Sequence, residues 1–188
     1  MVFLMKTIAY LVLSFSLISS SALADTVLKI SGAPATSNAI TEKAESNGLS
    51  NVELDSKQTF DVVSDGSKLG TLVQGRGWKR DIHPVCFVAW STNNKDVDFF
   101  KSTIGVDDWE TADCDKIDAV GLISKPEESD TKIAVFYSVD TRGQASHNYV
   151  IFGLRNKNEL FYDSRTTARF ENSYVNTISE LRKKYRVE

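Results

Sequence analysis

Histidine, cysteine and proline are scarce in this chain of 188 residues: two, two and three copies respectively. Two histidines, His83 and His147, with no H-E-x-x-H pattern, give a zinc centre no support from motif spacing. Two cysteines allow at most one disulfide, so the fold does not rest on a dense disulfide framework. Basic charge is also short. Lys and Arg total 22 against 25 Asp and Glu, a formal net charge of −3. That balance argues against nucleic acid, whose binding depends on cations neutralising phosphates. It argues equally against a polybasic membrane surface. Beyond the N-terminal segment there is no long apolar run, no G-x-S-x-G, no P-loop and no G-x-G-x-x-G. No cofactor is expected.

What is present begins at the N-terminus. Met1–Lys6 is a short, weakly basic lead, and Thr7–Ile18 is an apolar run too short to span a bilayer. Ser21-Ala22-Leu23-Ala24 supplies the small-x-small pattern of a signal-peptidase site, followed by polar Asp25. Residues 1–24 therefore read as a cleavable export signal, cut between Ala24 and Asp25. No cysteine sits at the cut to carry a lipid. Lys6 is the one charge removed, which leaves 164 residues with 21 basic and 25 acidic side chains. A chain of that size buries a sizeable core as one domain. Periplasm or secretion follows as the expected location. In an oxidising compartment Cys86 and Cys114, which lie 28 positions apart, are expected to bond.

Periodicity predicts a single α+β domain over residues 25–188. Its sheet is mostly antiparallel with about five to seven strands, and it carries two or three helices. Val27–Ile30 reads as a strand, and Asn38–Glu45 as a short helix capped by Ser37 or Asn38. Phe60–Val63 and Leu69–Gln74 flank Asp65-Gly66 and read as a hairpin. His83–Trp90 is apolar at nearly every position, the pattern of a central strand buried on both faces. Asn94–Ile104 has Val97, Phe100, Lys101 and Ile104 at helical spacing with Gly105 just beyond, and predicts a helix. Asp107–Asp118 reads as an acidic loop, and Ala119–Ile123 as a short strand. Lys132–Asp140, Ser146–Leu154 and Glu159–Asp163 predict an antiparallel meander. Asn172–Tyr185 predicts an amphipathic C-terminal helix with Tyr174, Ile178, Leu181 and Tyr185 on one face.

Three groups of residues bear on function. Cys86 followed by His147 is the order of a papain-like cell-wall amidase or peptidase, with Asn148, Asp163 or Asn172 available to orient the imidazole. Against this, Cys86 lies inside a strand-like run, and Cys114 offers it a disulfide partner. The acidic loop fails the calcium-binding pattern, because Ile117 stands at the third ligand position and Asp118 where Gly is needed. Asp107, Asp108, Trp109 and Glu110 instead offer an aromatic anchor ringed by charge, suited to a basic cleft on a partner protein. Arg76 and Trp78, held in Gly75-Arg76-Gly77-Trp78, offer a cationic and aromatic contact pair.

Small exported α+β domains with one disulfide, acidic charge and no catalytic motif resemble, in type, periplasmic immunity proteins of bacterial toxin systems and periplasmic lysozyme inhibitors. The expectation is therefore an exported protein-binding module that neutralises an envelope-targeting enzyme or toxin. A cysteine-dependent hydrolase on Cys86 and His147 is the alternative. A passive envelope or surface component, assembling through an open sheet edge, is the third reading.

Overall fold

In the computed structural model the described residues are 26–156 and 158–187, so the expected export signal lies outside them. The strands are β1 (Thr26–Ile30), β2 (Leu49–Leu54), β3 (Phe60–Ser64), β4 (Ser67–Lys79), β5 (His83–Ser91), β6 (Phe99–Ser102), β7 (Asp113–Leu122), β8 (Thr131–Thr141), β9 (Gln144–Arg155) and β10 (Glu159–Tyr162). The helices are α1 (Ser37–Ser46), α2 (Ser164–Phe170) and α3 (Ile178–Val187). The α+β class holds. The strands fall into two antiparallel sheets of six and four rather than one sheet of five to seven. The first sheet runs β1-β3-β4-β5-β6, with β2 beside the end of β4, and the second runs β10-β9-β8-β7.

Alternation along β5 shows why the sheets stack. Cys86, Val88 and Trp90 point one way, into a core shared with Ile133, Val135, Tyr137 and Phe152 of the second sheet. Val85, Phe87 and Ala89 point the other way, against Ile40 and Ala44 of α1. The second sheet repeats the pattern. Its outer residues Ala134, Phe136, Tyr149 and Ile151 pack on Phe170 of α2 and Leu181 of α3. The result is a helix–sheet–sheet–helix stack, with the Cys86–Cys114 disulfide stapling the two sheets across a Cα separation of 5.7 Å.

Several elements differ from expectation. Asn94–Ile104 is not helical; its centre is the strand β6. Phe99 packs into the inter-sheet core while Phe100 lies against Phe87 on the opposite face, an alternation that a helix cannot satisfy. The second half of the acidic loop, from Asp113, is strand β7. α3 starts at Ile178, so Tyr174 falls outside it and is 91% exposed, while Ile178, Leu181 and Tyr185 do face the sheet. The arginines of α3 are used as tethers: Arg182 donates to the Leu122 carbonyl (2.6 Å), and Arg186 to those of Ile123 and Ser124. β2 and α2 had no periodic signal.

α2 is held by its cap. The Asp163 carboxylate accepts from the Thr166 N–H (3.0 Å) and lies 2.8 Å from the Lys132 ammonium. Burial pushes the Asp163 carboxyl up, but Lys132 and Thr166 outweigh it and hold it below its ordinary value. A carboxylate depressed on folding adds stability that is present above about pH 4 and lost as pH falls through the folded value. Asp163→Asn keeps a capping side chain but removes this charge. Acid unfolding followed by circular dichroism should therefore show a shallower loss of stability below pH 4 in that variant. An unchanged acid limb would remove Asp163 from the account.

Candidate functional site

Residues 105–113, which run from just past β6 to the first residue of β7, form a short loop built from local hydrogen bonds. Gly105 takes a φ of +92°, open to glycine at little cost, and its N–H donates to the Trp109 carbonyl (3.1 Å). The Trp109 N–H donates to Val106 (2.9 Å) around a single 3-10 turn, and Ala112 N–H donates back to Trp109 (3.2 Å). Both feet of the loop are tied to β5. His83, at the start of that strand, sets Nε2 3.0 Å from the Gly105 carbonyl oxygen and Nδ1 2.5 Å from Asp113 Oδ1. One residue further on, Cys114 is bonded to Cys86. A single imidazole and one disulfide thus clamp the entry and the exit of the loop.

The clamped loop presents charge outward. The Asp107 side chain is 75% exposed, and Asp108 and Glu110 are exposed as well. Trp109 does not stand among them as a free anchor. It is half-buried and packs against the inter-sheet core, because the 3-10 turn rotates it inward while the flanking carboxylates point to solvent. Its role in this geometry is to seat the loop.

Beside the loop lies a small cavity of about 40 Å³, lined by Lys101, Thr103, Asp107, Asp108, Trp109 and Tyr162 among others. The Lys101 ammonium sits 4.8 Å from the centre of the Tyr162 ring and 3.7 Å from Asp107 Oδ2. Burial raises the Tyr162 phenol above its ordinary value against a hydrogen bond with Thr167, and the Asp108, Glu171 and Asp107 carboxylates add to the rise.

Arg76 and Trp78 occupy a different place. Gly75 and Gly77 turn toward the α1 side, where a Cβ on Gly75 would fall inside the Phe87 ring. Arg76 and Trp78 consequently face the second sheet, with the guanidinium carbon 4.8 Å from the Trp78 ring centre. Arg76 is fully engaged: Nη1 donates to the Asp115 carbonyl (2.6 Å) and Nη2 lies 3.2 Å from Glu53 Oε2. The pair lines one wall of an open cleft of about 540 Å³, with Cys114, Lys116 and His147 on the other side. This cleft and the cavity beside the acidic loop share no lining residue. Arg76 and Trp78 and the acidic loop therefore lie at two separate places.

Cys86 and His147 are not brought into a nucleophile–base pair. Cys86 is fully buried in β5, and its sulfur is bonded to Cys114, which leaves no thiolate to activate. His147 Nδ1 lies 3.2 Å from Asp118 Oδ2, so the carboxylate beside the imidazole is Asp118 and not Asp163, which caps α2. Ser138 Oγ donates to that same oxygen (2.8 Å), and Lys116 approaches Oδ1 (3.3 Å). Serine and histidine thus share one carboxylate instead of forming a serine-to-histidine relay. The cluster depends on an irregularity in β7 between Ile117 and Ala119 and on the Ser138–His147 cross-strand register, neither of which leaves a mark in sequence spacing. Among the described residues no helix is long and apolar enough to cross a membrane.

No protein-family model, no curated protein and no solved structure matches the chain.

Proposed function

We propose that the protein is an exported protein-binding module that neutralises a cationic enzyme or toxin acting on the cell envelope, docking through the loop 105–113. The observation that supports this reading is the clamp. His83 and the Cys86–Cys114 bond hold both feet of a short loop whose Asp107, Asp108 and Glu110 carboxylates face solvent. A loop fixed before association loses little conformational entropy on binding, so more of its interaction energy is expressed as affinity. Exposed carboxylates on an anionic domain also speed encounter with a cationic partner. The export-signal pattern of residues 1–24 and the single disulfide agree with an oxidising compartment outside the cytoplasm.

The test is binding of residues 25–188 to cationic peptidoglycan hydrolases by surface plasmon resonance. The triple variant Asp107→Asn, Asp108→Asn, Glu110→Gln should bind at least about tenfold more weakly, chiefly through a slower association rate. Equal affinity of the triple variant and the parent for such an enzyme would remove the loop from the interface. Absence of binding across muramidases, amidases and peptidases would overturn the reading itself.

A further inference from the structure

We infer that the cavity beside the loop receives an arginine side chain of the partner protein, with Lys101 holding its place in the free protein; this rests on the docking reading above. The cavity combines three features that suit a cation. Asp107 and Asp108 supply carboxylates at its rim, Trp109 and Tyr162 supply aromatic surface, and Val106 and Val150 supply an apolar floor. Glu171 adds a third carboxylate within electrostatic reach of the Tyr162 hydroxyl.

The chain already places a cation there. Lys101 reaches from β6 to lie over the Tyr162 ring, but its ammonium remains 3.7 Å from Asp107, longer than a good charge-assisted hydrogen bond. Lys101 therefore meets Asp107 at ion-pair range without a close hydrogen bond to it. A guanidinium answers the geometry better. It is planar, stacks on aromatic rings, bridges two carboxylates and is more weakly hydrated than an ammonium. The cavity is small, about 40 Å³, room for a compact group and not for a larger ligand. Being displaceable, Lys101 offsets part of the Asp107 charge before the partner arrives.

The probe is the peptide acetyl-Gly-Arg-Gly-amide, followed through the Trp109 indole N–H resonance in residues 25–188. A peptide with citrulline in place of arginine, neutral and nearly the same shape, is the control. Saturable movement of the Trp109 resonance is expected with the arginine peptide and not with the citrulline peptide. Lys101→Ala should tighten arginine-peptide binding by about threefold, in keeping with the worth of an exposed cation–π contact. Lys183→Ala, the same charge change on exposed α3, should leave it unaltered. Asp107→Asn should weaken it, while the Trp109 resonance of the free variant still reports a seated loop. No movement with arginine peptide in either the parent or Lys101→Ala overturns the assignment, as does equal movement with citrulline. If the peptide fails while the triple carboxylate variant still loses partner affinity, the docking reading stands and the arginine pocket falls. If the peptide binds while partner affinity ignores the triple variant, the reverse holds.

Discussion

Replacing both Cys86 and Cys114 with alanine is expected to lower the unfolding free energy by about 3–4 kcal/mol, the value the chain-entropy model gives for a crosslink spanning 28 residues. For a domain of this size that corresponds to a fall of about 10 °C in Tm. The bond does more than close a loop in the unfolded chain. It joins β5 of one sheet to β7 of the other at the edge of the shared core, where both sulfurs are fully buried. The alanine pair leaves a void at that junction, which adds to the loss. It also removes one of the side-chain ties at the feet of the loop 105–113, leaving the His83 contacts and the backbone bonds of the flanking strands. Thermal unfolding by calorimetry, with and without reductant on the parent, measures the effect. A loss under about 1 kcal/mol would show that packing alone fixes the junction and that the loop does not depend on the bond for its rigidity.

The second large effect is expected at Trp90. Its side chain is fully buried in the inter-sheet core, and its Nε1–H donates to the Asn158 carbonyl across the gap between the sheets (2.8 Å). Gly70 on the neighbouring strand has no Cβ because the indole lies flat over that position. Truncation to alanine removes the largest single block of buried apolar surface and leaves a cavity that two rigid sheets cannot collapse to fill. The expected cost is about 3–5 kcal/mol by urea denaturation. Trp90→Phe separates the two contributions. It keeps most of the ring contact and loses the hydrogen bond, so the bond's own share should appear as a cost of about 1 kcal/mol beyond the change in volume. A cost for Trp90→Ala below 2 kcal/mol would mean that the two sheets can move together over the gap.

How far the sequence reveals this architecture depends on where the determining contacts lie. β5 was legible because all its information is local: unbroken apolar character from Val85 to Trp90 implies burial on both faces, and the stack provides it. The hairpin at Asp65-Gly66 and the meander β8–β10 were legible for the same reason, each joined by a turn with its own chemistry. β6 was misread because Val97, Phe100, Lys101 and Ile104 fit helical spacing in isolation. Only the presence of β5 on one side and two different cores above and below makes the segment a strand. β2 gave no signal because its partner, the far end of β4, lies some 25 residues away, and Asn51 breaks its alternation with a positive φ.

The site was legible in its parts and not in its arrangement. The disulfide follows from the count of two cysteines and the compartment that the N-terminal pattern leads one to expect. The exposure of Asp107, Asp108 and Glu110 follows from their charge. The inward turn of Trp109, the separation of Arg76 and Trp78 from the loop, and the clamp by His83 are long-range. His83 is 22 positions from Gly105 and 30 from Asp113, and nothing in the spacing announces that it holds both. The same holds for the meeting of Asp118 with Ser138 and His147.

The most direct test of the central claim, that a clamped acidic loop docks a cationic envelope-targeting protein, is the association rate of residues 25–188 with a cationic peptidoglycan hydrolase at low and high salt, for the parent and the Asp107→Asn, Asp108→Asn, Glu110→Gln variant. The account predicts a fast rate for the parent that falls steeply as salt rises, and a slower rate for the variant with a much weaker salt dependence. Identical rates and identical salt dependence for the two proteins would contradict it.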